Sequence, residues 1–320
     1  MPCPNKRRSL FLAQTRRDWT FWVGMERLKK TASHDFPTWG RYTNNAIPQY
    51  HALMNTLLLQ MVVSFVVGGI FIEMQTIIAE RVTPRMGGIV LTLPSTLAIS
   101  FLCIGLTLSP EKVASIIPVV PLTLGISVIA VVTYVLLARL HLRKIFSMLL
   151  CITGSISMWL LLSVPLAITR FSNIYLSLTG FLVIASISHY FLSGALTIEQ
   201  KTEIIQYTFL QKLTRVCTSG ALVAFAVLTS KLLGPFWGGI VSAFPVAILS
   251  SLLILHWHHN GYFLQQVSRT IPVGFSSLVI FALATMYTFP LLGAIGGTIA
   301  SYVITSCFIL LLVQVLQRKR

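Results

Sequence analysis

The chain reads PRMGGIVLTLP at positions 84–94 and PFWGGIVSAFP at positions 235–245, so the pattern P-x-x-G-G-I-V-x-x-x-P occurs twice, 151 residues apart. A proline can begin a helix, and paired glycines let its backbone approach a neighbour closely. A second proline inside the helix removes a hydrogen bond and bends or breaks it. One copy alone would indicate a kinked helix entry. Two copies indicate that a longer part of the chain is duplicated.

The composition around both copies is typical of a membrane protein. Of the 320 residues, 55% are hydrophobic and only 10% are charged, whereas charged residues make up about 25% of an ordinary soluble domain. Apolar runs of about 20 residues recur, which is the length that a helix needs to cross the hydrocarbon layer. We therefore predict an all-α integral membrane protein with about nine transmembrane helices. They lie at about 54–79, 87–107, 114–138, 145–167, 174–195, 216–232, 236–256, 271–288 and 291–316.

A shift of 151 positions superposes predicted helices 1 to 4 on helices 6 to 9 and aligns Gly69 with Gly220. This predicts repeat one at 54–168, a linker helix with its loop at 169–214, and repeat two at 215–320. An odd number of crossings separates equivalent points, so the two repeats of this 4+1+4 plan are inverted relative to each other. Inverted repeats are typical of secondary transporters, which bind their substrates near the midplane where the repeats meet.

The basic residues predict the orientation, because they concentrate in cytoplasmic loops. Alternate predicted loops and the C-terminus carry twelve of them, and the opposite loops carry three, Lys112, Arg170 and Lys231. The C-terminus is therefore predicted to be cytoplasmic. The first 53 residues carry nine more, a load that resists the translocation this orientation requires. Segment 1–53 is interpreted as a disordered tail, as an over-long start before Met54 or as a segment lying on anionic lipid. The alternative is that the number of predicted helices is wrong by one. Nucleic-acid binding is disfavoured, since no recognisable module accompanies the charge.

The second half resembles the small four-helix GlpM-like inner-membrane proteins. The positions that carry the resemblance are Lys231, Gly239, Phe244, Pro245, Gly261 and Arg269. The first half matches more loosely through Gly88, Leu93 and Pro94, with Glu80 at the position of the lysine. The resemblance implies a fusion of two such units in a bacterial inner membrane, but it implies little chemistry.

Ionisable residues inside a membrane indicate function, because their burial is costly. Glu73 lies on a polar face of helix 1 with Thr76, and His189 lies at a similar predicted depth in helix 5. A buried carboxylate beside an imidazole could bind and release a proton, so Glu73 and His189 are candidates for the coupling pair of a proton-linked carrier. The alternative is that Glu73 pairs with a nearby arginine and that His189 bonds a backbone carbonyl.

The repeated motif predicts where a substrate would bind. Helix breaks free backbone groups that must face protein or a water-filled cavity. The motif positions are Gly88, Pro94, Gly239 and Pro245, and we expect a site first beside the two prolines.

The stretch HWHHNGY at positions 256–262 offers three imidazoles, those of His256, His258 and His259. No cysteine or carboxylate stands nearby to complete a metal site, and Trp257 and Tyr262 are typical of a membrane interface. We predict interface anchoring here and no cofactor. The chain also lacks the short catalytic motifs of soluble enzymes. The sequence thus favours a carrier of a small molecule in the lipid bilayer, and a membrane-embedded lipid-processing enzyme or a membrane scaffold are the alternatives.

Overall fold

The computed structural model describes residues 57–71, 74, 94–140, 142–193, 208–258 and 261–318. All regular structure in these ranges is helical. The helices are α1 (Leu57–Phe71), α2 (Thr96–Thr107), α3 (Pro110–Ile116), α4 (Val120–Leu137), α5 (Lys144–Thr169), α6 (Ile174–Ser193), α7 (Phe209–Leu232), α8 (Pro235–Ser242), α9 (Val246–His258), α10 (Gly261–Ser268) and α11 (Ile271–Arg318). A short 3-10 turn, Ile117–Val119, joins α3 to α4.

Within the described ranges, six helical segments are long and apolar enough to cross a membrane, by length and composition. They are Pro110–Leu137, Lys144–Thr169, Ile174–Ser193, Phe209–Leu232, Pro235–Trp257 and Ile271–Leu312. This all-helical, apolar architecture fits the predicted class of a membrane protein.

Several helix ends follow from local sequence. Pro110 and Pro235 occupy first-turn positions, where the missing N–H costs nothing. Thr208 and Gln211 form a reciprocal capping box at the start of α7, with hydrogen bonds of 3.4 and 2.9 Å. Gly234 precedes α8 with a φ of 100°, a conformation that favours glycine. The sequence therefore fixes where α7 ends and α8 begins.

The predicted helix 236–256 is interrupted where the second proline of its motif predicts a break, since α8 ends at Ser242 and α9 begins after Pro245. The structure also contains a short helix that the sequence did not predict. This helix is α10, which lies in the predicted loop after 236–256. Four buried positions of α10, Gly261, Leu264, Gln265 and Ser268, lie on one face. Its other positions are Tyr262, Phe263, Gln266 and Val267, and with two glutamines in eight residues the helix does not form the continuous apolar run used to find the helices.

Helix α11 is interrupted at Gly293, where φ is 72° and ψ is 179°. It folds back there, since Thr288 donates to the Gly297 carbonyl at 3.0 Å and shares a 2.8 Å hydrogen bond with Ser301. We name 271–292 the first arm and 294–318 the second arm. The two arms correspond to the last two predicted helices.

Element boundaries in the two halves recur at almost constant spacing. Helices α2 and α9 begin 150 positions apart, at Thr96 and Val246. Helices α3 and α10 begin 151 positions apart, and so do α4 and α11. Helix α6 has no counterpart. The described elements thus follow the period of the sequence motif.

Helices α1 and α7 cross at two glycines that are also 151 positions apart. A Cβ atom on Gly69 would lie 2.8 Å from Val216 Cγ1, and one on Gly220 would lie 2.6 Å from the Phe65 carbonyl oxygen. Phe65 and Val216 are themselves 151 positions apart. The contact advances along α1 as it recedes along α7, so the two helices are antiparallel. Each makes the same contact with the other, as across a two-fold axis.

The core lies between the two halves. Its main cluster contains fully buried side chains of both, such as Phe101, Leu124, Phe281 and Phe289. Helix α4 is buried along most of its length, and a face of α5 with small residues at Ser147, Ser155 and Ser163 is buried too. Large apolar side chains on the outer faces of α5 and α6 are exposed instead, among them Leu161 at 69% and Val183 at 56%.

Candidate functional site

A cavity of about 220 Å³ lies at the break between α8 and α9. The break contributes Ala243, Phe244 and Pro245, and α2 contributes its first residues with Ser95 before them. The start of α11 contributes a further part of the wall, with Thr270 before it, and single residues or short stretches of α4, α8 and α9 complete it. The first turns of three helices therefore border one space.

Both halves line this cavity through matching positions. Thr96 and Ala247, Leu97 and Ile248, and Leu124 and Phe275 all belong to its wall, and the members of each pair are 151 positions apart. The cavity therefore lies where equivalent parts of the two halves meet. Its wall is mainly apolar, with the hydroxyl groups of Ser95, Thr96, Ser242 and Thr270.

The carbonyl group released by the helix break in the second half is bonded by a side chain from the first half. Ser127 on α4 donates to the Ala243 carbonyl at 2.7 Å and accepts from the Trp159 indole N–H at 3.2 Å. The Trp159 ring also meets Phe244 edge-on, with centroids 5.0 Å apart. The broken backbone is held in place by these contacts.

The reverse arrangement occurs at Pro94, just before α2. Tyr302, on the second arm of α11, donates its hydroxyl to the Pro94 carbonyl at 2.6 Å. Each half therefore supplies a hydroxyl to the helix entry of the other half.

The paired glycines of the second motif copy hold α8 between two neighbours. A Cβ atom on Gly239 would lie 2.5 Å from Ile116 Cδ1 on α3. One on Gly238 would lie 2.8 Å from the Ala226 carbonyl oxygen on α7. The glycines thus permit the close packing that the sequence predicts.

The proposed coupling residues lie apart from this cavity or outside the described ranges. His189 is half-buried, and its Nδ1 lies 3.0 Å from the Arg269 carbonyl oxygen, which is the structural alternative named above. It does not line the cavity. Glu73, Thr76 and Gly88 lie outside the described residues, so their roles stay predictions.

The histidines of HWHHNGY differ in their surroundings. His256 is buried, with an exposed fraction of 6%, and contacts Tyr134 and Ser147. His258 is the last residue of α9, and His259 lies outside the described residues. Among the side chains that the structure describes, no group of three or more His, Cys, Asp or Glu could hold a metal ion.

The aromatic residues of the same stretch meet basic side chains. Lys144 Nζ lies 4.9 Å from the centre of the Trp257 ring, and Arg139 Cζ lies 5.8 Å from that of Tyr262. Both rings are about half exposed. Such cation–π pairs suit a membrane interface, where ring and charge can face the head groups.

Sequence reasoning placed the site at the prolines but missed the groups that complete it. Ser127 and Tyr302 are hydroxyl residues within apolar helices, and nothing in the local pattern distinguishes them from packing residues. Leu124 and Phe275 could have been found, because the 151-residue shift aligns them and both are apolar.

Comparison with known proteins gives one match. Residues 61–172 match a family model described as a protein of unknown function, DUF3147. This segment runs from α1 to just beyond the end of α5. No curated protein and no solved structure matches the chain.

Proposed function

We propose that this chain is a multi-pass membrane carrier of a small molecule, built of two inverted four-helix halves joined by α6, with its substrate site in the cavity at the α8–α9 break. The observation that carries the proposal is the lining of this cavity by three pairs of positions 151 residues apart. Transporters with inverted repeats bind substrate at such a junction, near the midplane, beside interrupted helices.

Three further features support the inverted plan. Equivalent helices α1 and α7 run antiparallel across Gly69 and Gly220, as a two-fold axis in the membrane plane requires. Elements before and after α6 recur at the same spacing. Helix α6 itself adds the single crossing that turns the second half over. The family-model match covers the first half alone, which suits a unit that was duplicated.

Membrane insertion is supported by the outer surface. The exposed leucine, isoleucine and valine side chains of α5 and α6 would form a large apolar patch in water. In a bilayer the same faces contact acyl chains without cost, while the hydroxyl groups of Ser147, Ser155 and Ser163 on α5 stay in the protein interior.

The chemistry of the cavity suits a carrier more than a hydrolytic enzyme. Its wall offers hydroxyl groups and the N–H groups at the starts of α2, α9 and α11, which can donate hydrogen bonds to a ligand. A mainly apolar wall with a few placed polar groups is the usual composition of a small-molecule site.

Cysteine accessibility tests the proposal without knowledge of the substrate. In a full-length protein whose native cysteines are replaced by serine, Thr96→Cys and Thr270→Cys place thiols on the cavity wall at positions that are not fully buried. Ser155→Cys is the matched control, because Ser155 is fully buried and does not line the cavity. We expect a membrane-impermeant thiol reagent to label the two cavity variants at least about tenfold faster than the control in proteoliposomes, since water can reach the cavity wall but not the closely packed position of Ser155. Equally slow labelling rates at all three positions would overturn the proposal of a carrier.

A further inference from the structure

We propose that His256 is the proton-binding group of this protein, held between the two halves by the hydroxyls of Tyr134 and Ser147. The proposal rests on the proposed carrier function and names its coupling ion and the residue that binds it. It differs from the sequence prediction, which assigned this role to Glu73 and His189.

Both ring nitrogens of His256 have hydroxyl partners. Nδ1 lies 3.3 Å from the Tyr134 hydroxyl oxygen, and Nε2 lies 3.5 Å from Ser147 Oγ. All three side chains are buried, with exposed fractions of 6%, 0% and 3% for His256, Tyr134 and Ser147. The imidazole is thus enclosed by groups that can exchange hydrogen bonds with it.

A hydroxyl group can serve either protonation state. When His256 is neutral, one ring nitrogen donates to a hydroxyl oxygen and the other accepts from a hydroxyl hydrogen. When a proton from water is added, both nitrogens donate, and the lone pairs of both hydroxyl oxygens can accept. Rotation of the hydroxyl hydrogens is sufficient for this change. The proton can therefore bind and leave without separating the heavy atoms.

His189 lacks this property. Its described partner is the Arg269 backbone carbonyl, which only accepts and so fixes one nitrogen as the donor. His256 is therefore the histidine whose two described partners can each donate or accept a hydrogen bond.

The position of His256 links its charge to the contact between the halves. His256 is on α9 of the second half, whereas Tyr134 and Ser147 are on α4 and α5 of the first half. A proton added here places a positive charge across that contact. The carbonyl end of α9 favours this charge, and the nearby Lys144 ammonium, which lies over Trp257, opposes it.

Helix α9 packs against α4, α5, α7 and α10. The charged and titratable side chains that these helices carry are Tyr134, Lys144, Cys151, Lys212, Arg215, Cys217, Lys231 and Tyr262. The cation among them that acts electrostatically on His256 is Lys144, and it disfavours a second positive charge at this position.

Histidine-selective ¹³C labelling of the full-length protein in nanodiscs tests the proposal. The His256 signal is identified by its loss in His256→Asn, or, where that variant does not fold, by its response to both Tyr134→Phe and Ser147→Ala. We expect this signal to titrate between about pH 5 and 8. We also expect Tyr134→Phe to move its midpoint by about 0.5 pH or more and to leave the His189 signal unchanged, since one hydrogen-bonding partner of His256 is removed.

A His256 signal that stays constant over this pH range overturns the proposal. A titration midpoint of His256 that is the same in Tyr134→Phe as in the wild type overturns it too. Cysteine labelling of the cavity does not depend on His256. A carrier without a proton site would therefore be labelled at Thr96→Cys and still show no titration of His256, which separates the two failures.

Discussion

Gly220→Ala tests the crossing of α1 and α7, on which the inverted arrangement depends. The added methyl carbon would lie 2.6 Å from the Phe65 carbonyl oxygen, whereas carbon and oxygen atoms normally stay about 3.3 Å or more apart. The helices must therefore separate by about 0.7 Å locally. Overpacking of this kind costs about 1–3 kcal/mol, so we expect the melting temperature of the purified protein to fall by about 2–10 °C.

The equivalent glycine provides an internal comparison. At Gly69 the nearest atom is a side-chain carbon, Val216 Cγ1 at 2.8 Å, with the Val216 carbonyl oxygen at 3.2 Å. Val216→Ala should therefore restore most of the stability lost in Gly69→Ala and none of that lost in Gly220→Ala, because the obstacle at Gly220 is backbone. Gly296→Ala is the control, since its nearest neighbour is Leu292 Cβ at 3.2 Å, a side-chain atom of α11 on the other side of Gly293 and not an atom of α1 or α7. If the melting temperature of Gly220→Ala equals those of Gly296→Ala and of the wild type, α1 and α7 do not cross as described.

Two further predictions concern the breaks in the helices. Ser127→Ala should lower the free energy of unfolding by about 1–3 kcal/mol, because it leaves the Ala243 carbonyl and an indole N–H without this partner. Tyr302→Phe removes a single bond to Pro94 and should cost less, about 0.6 kcal/mol; thermal melting of both variants ranks them, and the opposite order would contradict this account. Gly293→Ala should be destabilising by about 1–2 kcal/mol although a Cβ atom there meets open space, because its φ of 72° is unfavourable for alanine. Circular dichroism during heating measures this loss, and an unchanged melting curve would show that the chain does not reverse at Gly293.

The all-helical fold and the helix break at the second motif copy could be predicted because their signals are local. Glycines and prolines at the 151-residue spacing indicate where helices begin and break, and the structure places a break at Pro245. Helix α10 could not be found in the same way. A search for long apolar runs does not find this short amphipathic helix, because Gln265 and Gln266 lower the mean hydropathy of its eight residues. The helix is recognisable only by the spacing of its buried residues.

The site was predicted less well than the fold, because its groups come together only through long-range packing. Tyr302 lies 208 positions from Pro94, and Tyr134 lies 122 positions from His256. Each occurs in an apolar helix where an aromatic residue is ordinary. His256 was interpreted with its neighbours as an interface residue, but helix geometry buries it while Trp257 beside it is half exposed.

The hydrogen bond between Tyr302 and Pro94 can form only late in the synthesis of the chain. Ribosomes add about 5–20 residues each second, so the 208 positions between Pro94 and Tyr302 take about 10–40 s to make. For that time the Pro94 carbonyl has no partner from the second half. The final shape of the first half is therefore reached only when the last helix has emerged, and a nascent chain stalled before Tyr302 should be unusually sensitive to membrane proteases.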